Sequence, residues 1–161
     1  MDRPAFENAM ELAEGEVMPC MSPLGYPAKK LSLRDSMMRK AIKADERMDF
    51  EKLFFDGSFA APLTQKKAGT LAHPLEMVRL APSAVNKQPW RVVLTDHAAH
   101  FYLKRSKCFN GGTIDMQKID LGIALCHFDL AAKEVGLTPH FVLSDPGLAA
   151  EGLEYIATYQ F

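Results

Sequence analysis

The chain reads as an α+β fold, an antiparallel or mixed sheet with helices packed against it, and three observations predict this. A helical run from Met116 to Val135 is the longest periodic segment and is expected to form the centre of the fold. Two β-rich runs, Arg91 to Thr95 and His100 to Lys104, flank a short turn around Asp96-His97-Ala98-Ala99, as a hairpin requires. Thr138 to Leu143 and Glu154 to Tyr159 supply further strands beyond the long helix.

Taken in chain order, Phe6, Met10 and Ala13 recur at helical spacing and predict a short amphipathic helix ending near Gly15. Val17 to Tyr26 is expected to be a strand. It holds Pro19 and Pro23, which cannot donate to a ladder, so its place is an edge or a partly irregular segment. Ser32 is a candidate N-cap for a helix from Leu33 to about Ala44, with Asp35 three residues on in a pattern similar to a capping box. Another helical turn or two is expected from Asp49 to Phe55, ended by Asp56-Gly57-Ser58, with loop to Gly69. Thr70 to Leu80 is read as helix, with Pro74 either confining it to the later residues or lying in its first turn, where proline's missing donor costs nothing. Asn110-Gly111-Gly112 predicts a turn, and Asp115 a cap for the long helix. Along that helix Ile119, Ile123, Cys126, Leu130 and Ala131 form the expected core stripe, and Gly136-Leu137 suits a Schellman-type stop.

Composition bounds the function classes. At 161 residues one compact domain can bury roughly 70% of its unfolded surface. A net charge of −1 argues against a chain-wide nucleic-acid footprint. No stretch approaches the ~20 apolar residues a membrane span needs, and Met1 to Met10, with Asp2 and Glu7, is not a signal peptide. Cys20, Cys108 and Cys126 lie far apart with no Cys-x-x-Cys pair, so neither a zinc site nor a disulfide framework is indicated, and a reduced cytoplasmic setting fits best. His127 has no histidine at i+4 and no carboxylate at pairing distance along the helix, which makes it a buried or interface histidine rather than a catalytic one. Ser83 lacks the Gly-x-Ser-x-Gly elbow of a serine hydrolase. Nine methionines, unclustered apart from Met37-Met38, read as gap-filling core or a malleable interface.

The segment most informative about function is Ala81-Pro82-Ser83-Ala84-Val85-Asn86-Lys87-Gln88-Pro89-Trp90. Two prolines stiffen a helix-to-strand loop, and Ser83, Asn86 and Gln88 project short polar arms from it. Two readings stand side by side: a ligand-holding loop, or an ordinary connection in which Trp90 is a buried anchor and Ser83 and Asn86 bond the loop's own backbone. Between Lys29 and Lys52, eight basic residues against five acidic ones give a local charge of +3. That segment is either a phosphate site or, the preferred reading, a solvated helix face on which Arg39, Lys40 and Lys43 point at water and Asp35 pairs with Arg39.

The decapeptide resembles the Ala-Pro-Ser-x-x-Asn-x-Gln-Pro-Trp segment of the nitroreductase superfamily. Ile119-Asp120-Leu121-Gly122-Ile123-Ala124 through His127 and Gly136-Leu137 is similar to the helix after the hairpin in members that carry two tandem half-domains. Pro23-Leu24-Gly25-Tyr26-Pro27 resembles the strand end that closes their first half. The resemblance implies a nitroreductase-like α+β fold, FMN as cofactor, NAD(P)H as electron donor, a nitroaromatic- or quinone-like small-molecule acceptor, and a dimer with flavin at the interface. It further implies that Pro82, Ser83, Ala84, Asn86 and Gln88 line the FMN site, with Ser83 and Asn86 hydrogen-bonding, and that Arg47 reaches the FMN phosphate. The family's companion cation two positions before Arg47 would be Asp45 here. No side chain is implied as nucleophile or strong base.

In the family the Gly-Tyr-Pro strand follows a first half opening with an Arg-Ser-x-Arg segment that grips the phosphate, and none precedes it in this sequence. The chain is therefore expected to be a second half, residues 1–161 forming a single nitroreductase-like half-domain completed by a second copy or a missing first half. Two function classes follow: an FMN-dependent oxidoreductase, or a non-catalytic remnant that keeps the loop for structure and dimerises or binds a partner without flavin. A small-molecule binding module with another planar ligand is a third.

Overall fold

The computed structural model describes residues 3–21, 24–26, 29–106, 114–148 and 151–161. Close contacts divide the chain into two units, residues 1–32 and 33–161. In the first unit a helix α1 runs Arg3–Ala9, shorter than the expected stop near Gly15, and Phe6 and Met10 are exposed. The strand expected from Val17 to Tyr26 is not there: residues 17–21 and 24–26 pair with nothing in a sheet. Pro19 removes a ladder donor, and Leu24 and Tyr26 bury nothing that would repay pairing. Pro23 and Pro27 of the Gly-Tyr-Pro segment lie outside the described residues, as do Cys108 and the predicted Asn110-Gly111-Gly112 turn.

The second unit is a five-stranded mixed sheet with helices packed on it. It opens with α2 (Leu33–Ala41), three residues shorter than expected and without a buried residue, and then α3 (Phe50–Leu53). The helix predicted over 49–55 stops early because Phe54, Phe55 and Asp56 become a strand, β1, lying parallel to β2 with Phe54 opposite Val92. Two successive phenylalanines suit a half-buried pleat better than a third helical turn. The expected loop to Gly69 also contains structure: Thr64 Oγ1 accepts from the Lys67 amide and caps a short helix α4 (Gln65–Ala68). Helix α5 (Ala72–Leu80) places Pro74 in its first turn, as predicted.

Strands β2 (Trp90–Thr95) and β3 (Ala98–Lys104) form the predicted hairpin, with a tighter turn of Asp96 and His97 alone. After α6 (Met116–Glu134) come β4 (His140–Val142) and β5 (Leu153–Gln160), giving the order β1-β2-β3-β5-β4. The start of α6 is capped as foreseen: the Asp115 carboxylate accepts from the Gln117 and Lys118 amides. Its end is a Schellman motif in full. Leu137 N–H donates to the Ala132 carbonyl and Gly136 N–H to that of Lys133, each at 3.0 Å, with Gly136 at φ +82°.

Helices α5 and α6 lie together against one face of the sheet. The core between them joins Leu75 and Val78 of α5, Leu121, Ala124, Phe128 and Ala132 of α6, and the alternate residues Ala99, Phe101 and Leu103 of β3. The face that α6 buries is therefore not the predicted one. Of the expected stripe only Ala131 is buried; Ile119 and Ile123 are half-buried, and Cys126 and Leu130 are exposed.

Between those core positions β3 sends His100 and Tyr102 to the opposite face, where both are also buried. His100 Nδ1 lies 2.8 Å from Thr158 Oγ1, Thr158 Oγ1 lies 2.8 Å from Tyr155 Oη, and the Tyr155 hydroxyl donates to the Ser144 carbonyl. Burial holds the His100 imidazole below its usual value of 6.5, with the Asp145 charge pulling weakly the other way. The unfolded chain then takes up this proton before the fold does, so stability is lost as pH falls through about 6.5. Urea unfolding between pH 5 and 7 should show that decline, and His100→Gln should flatten it; an equal slope in the variant would place its origin elsewhere.

Candidate functional site

The loop from α5 to β2 carries the sequence's most distinctive decapeptide, and the structure builds it around unusual backbone. Val85, Asn86 and Gln88 have φ of +50°, +54° and +47°. For a β-branched residue such as Val85 this left-handed conformation is costly, and strain of this kind, of order 1–3 kcal/mol per residue, persists only where surrounding contacts over-determine it.

Those contacts come from the loop's own polar side chains. Ser83 Oγ accepts from the Gln88 amide at 2.8 Å, which ties the loop's two ends together. The Asn86 amide nitrogen donates to the carbonyls of Lys43 and Glu46, at 2.6 and 2.9 Å. Gln88, 4% exposed, accepts from the Met48 amide at 2.8 Å and donates to Asn86 Oδ1 at 3.2 Å. Ser83 thus bonds the loop's own backbone and Trp90 is a buried anchor, as the ordinary-connection reading expects, whereas Asn86 departs from it by reaching carbonyls some forty residues back.

Arg47 is drawn into the same cluster. Its guanidinium donates to the Leu80, Ala44 and Glu46 carbonyls and to Asn86 Oδ1, while among the described residues no carboxylate lies within ion-pairing distance of it. Its neighbours here are neutral oxygens rather than a counter-charge.

Two shallow cavities flank this joint. One, of about 280 Å³, is lined by Arg39, Ala44, Asp45, Arg47, Pro82, Ser83 and other residues of the joint, Asn86 among them. The other, of about 300 Å³, has Lys43, Met48, Lys52, Arg47, Asn86 and Gln88 in its walls. The structure therefore brings Arg47, Pro82, Ser83, Asn86 and Gln88 together around one joint, and Ala84 occupies the short turn between Ser83 and Asn86.

Two residues of this neighbourhood were not among the expected site residues. Arg39, expected on a solvated helix face, is exposed there, and it also lines the first cavity and bonds the Asp45 carboxylate. Asp120 of α6 is 4% exposed; its Oδ1 accepts from the Ala84 amide at 2.9 Å, while Oδ2 is buried without a partner. Burial pushes the Asp120 carboxyl up, against the pull of the Ala84 amide. The signal for Asp120 was present as an acidic residue inside an apolar helical run. His127 is half-buried, with Nδ1 3.2 Å from the Met77 carbonyl, a contact between α6 and α5 of the kind expected.

A family model described as "Putative TM nitroreductase" matches residues 3–132 of the chain, more than half of its length. The chain belongs to this nitroreductase family. Among solved structures, a crystal structure titled as a putative nitroreductase from Thermotoga maritima is similar at 24% sequence identity with a TM-score of 0.45. That match covers 71% of this nitroreductase-family chain and 40% of the Thermotoga chain, so it spans less than half of that protein. No curated protein matches. Among the described residues of this family member, no helix is long and apolar enough to cross a membrane.

Proposed function

We propose that this nitroreductase-family chain contributes the phosphate-and-ribityl wall of an FMN site and works as an FMN-dependent NAD(P)H oxidoreductase on nitroaromatic- or quinone-like acceptors. The observation that carries the reading is the Arg47 guanidinium, fixed by carbonyls, paired with no carboxylate among the described residues, and standing at a cavity with Pro82, Ser83 and Asn86. Such a group suits a phosphate dianion, since a charge-assisted hydrogen bond to it is about twice as strong as a neutral one. Ser83 fits as well. Its oxygen accepts from Gln88 N–H, which leaves the hydroxyl proton free to donate to an anionic or ribityl oxygen. Arg39 adds a second cation once its bond to Asp45 opens.

FMN, when bound, supplies two-electron transfer between a nicotinamide and the acceptor. The chain's own part is binding and position: Arg47 and Ser83 hold the anionic end, Asn86 and Gln88 keep the loop in its strained shape, and Asp120 fixes the Ala84 amide at the start of the turn. At about 280 Å³ the cavity is small beside typical ligand pockets of roughly 300–1,000 Å³. The flavin ring accordingly needs a further wall, from a second copy or from a partner half, in keeping with the expected dimer.

The competing reading is a non-catalytic half-domain, favoured by one observation: the amides of Asn86 and Gln88 are already spent on internal bonds. Titration with FMN, following quenching of its fluorescence, separates the two. Saturable quenching that weakens with added inorganic phosphate and is lost in Arg47→Met supports the flavin site. Absence of quenching at high protein concentration would leave the remnant.

A further inference from the structure

We propose that a second site, on the sheet face turned away from α5 and α6, binds a small organic ammonium ion with an apolar body. The cavity there is about 500 Å³ and is lined by Tyr102, Asp145, Leu148, Glu151, Leu153 and Tyr155, sharing no residue with the Arg47 and Asn86 joint.

Three features of this cavity select a cation. Its wall is aromatic and rigid: the Tyr102 ring stands edge-on to Tyr155 at 5.6 Å and to Phe59 at 5.0 Å. The Tyr155 hydroxyl is clamped by the Ser144 amide and carbonyl at 3.0 and 2.9 Å. Tyr155, half-buried at the cavity, is the ring within reach of a cation that has shed part of its water. Asp145 and Glu151 then add two carboxylates, neither within ion-pairing distance of a basic group among the described residues. An anionic ligand would meet both charges.

The third feature is Tyr102 itself. It is 3% exposed, lines the cavity, and its hydroxyl is buried with no hydrogen-bond partner. A buried hydroxyl left in that state is destabilising, and a ligand N–H that bonds its oxygen offsets part of that cost. The phenol is available in neutral form throughout the physiological range, because burial, with Asp145 and Tyr155 beside it, pushes its pKa up to about 12. Leu148 and Leu153 supply apolar surface for the body of the ligand.

The probes are benzylammonium, its neutral counterpart benzyl alcohol, and benzoate, titrated into the full chain while the tyrosine ring resonances are followed by NMR. Benzylammonium should shift Tyr102 and Tyr155 saturably, more weakly at high salt, whereas benzyl alcohol and benzoate should bind at least tenfold less tightly. Asp145→Asn keeps an oxygen for the Gly147 amide, which Asp145 Oδ1 now accepts at 2.9 Å, so the turn survives the loss of charge. That variant, alone or with Glu151→Gln, should weaken benzylammonium at least tenfold while FMN quenching is unchanged. Equal binding of benzyl alcohol, no saturable shift with benzylammonium, or undiminished affinity in the folded double variant would each overturn the assignment.

Discussion

Phe128→Ala is expected to lower the unfolding free energy by about 3–5 kcal/mol, the range for deleting a large buried aromatic ring. Phe128 is fully buried on α6 where that helix meets β3 and β5. Its ring stands edge-on to Phe101 at 5.4 Å and tilted against Tyr159 at 5.3 Å, and Tyr159 in turn touches Phe141. Aromatic pairs of this geometry contribute about 0.5–1.5 kcal/mol beyond the area they bury. Truncation therefore removes two ring contacts and opens a void between a helix and two strands that cannot both move inward. Since whole domains are stable by only about 5–15 kcal/mol, this is a large share of the total, and the variant's urea midpoint should fall far below that of the parent chain. Leu130→Ala is the matched control: two positions on and 59% exposed, it should change stability by no more than about 0.5 kcal/mol. Urea midpoints of the two variants decide the matter, and a loss below 1 kcal/mol in Phe128→Ala would mean that α6 does not pack on the sheet through this face.

That comparison also shows where sequence reasoning reached its limit. The existence, length and caps of α6 were legible because Asp115 and Gly136 act locally, through bonds closed within a few residues. Its buried face was not, because apolar residues surround the helix: Ile119, Ile123, Cys126 and Leu130 form one stripe, Leu121, Ala124, Phe128 and Ala132 another. Periodicity finds both and cannot choose, since the choice belongs to the sheet. The larger ring of Phe128 fills the space beside Phe101, and the other stripe grades from half-buried Ile119 and Ile123 to exposed Cys126 and Leu130. Strand β1 was missed for a related reason: three residues hold a place only because Val92, Val93 and Leu94 offer them a parallel edge. The decapeptide marked the candidate site, yet nothing local told that Asn86 would reach Lys43 and Glu46, or that Arg39 would line the cavity beside them.

Replacing Asn86 should be costly in two separable ways. In Asn86→Ala the carbonyls of Lys43 and Glu46 lose their donor, and Gln88 and Arg47 lose an acceptor. Those carbonyls are reached by water, so each lost bond costs about 1 kcal/mol rather than a full desolvation penalty. Alanine must also adopt φ near +54°, which adds about 1–2 kcal/mol. Together the two carbonyl bonds and the strain predict a loss of about 3–4 kcal/mol, so alanine weakens the fold as well as the site. Asn86→Gly separates the terms, because glycine accepts positive φ without strain and loses only the amide's bonds. It should recover about 1 kcal/mol of stability over alanine. If the amide acts by holding the strained loop and Arg47 against the 43–48 segment, glycine should not recover FMN affinity. Each 1.4 kcal/mol of lost binding is tenfold in dissociation constant, and both variants are expected to bind FMN at least tenfold more weakly at a temperature where both remain folded. Flavin affinity unchanged in the folded glycine variant would show that the Asn86 amide serves the fold alone, and would leave Arg47 and Ser83 to carry the phosphate without it.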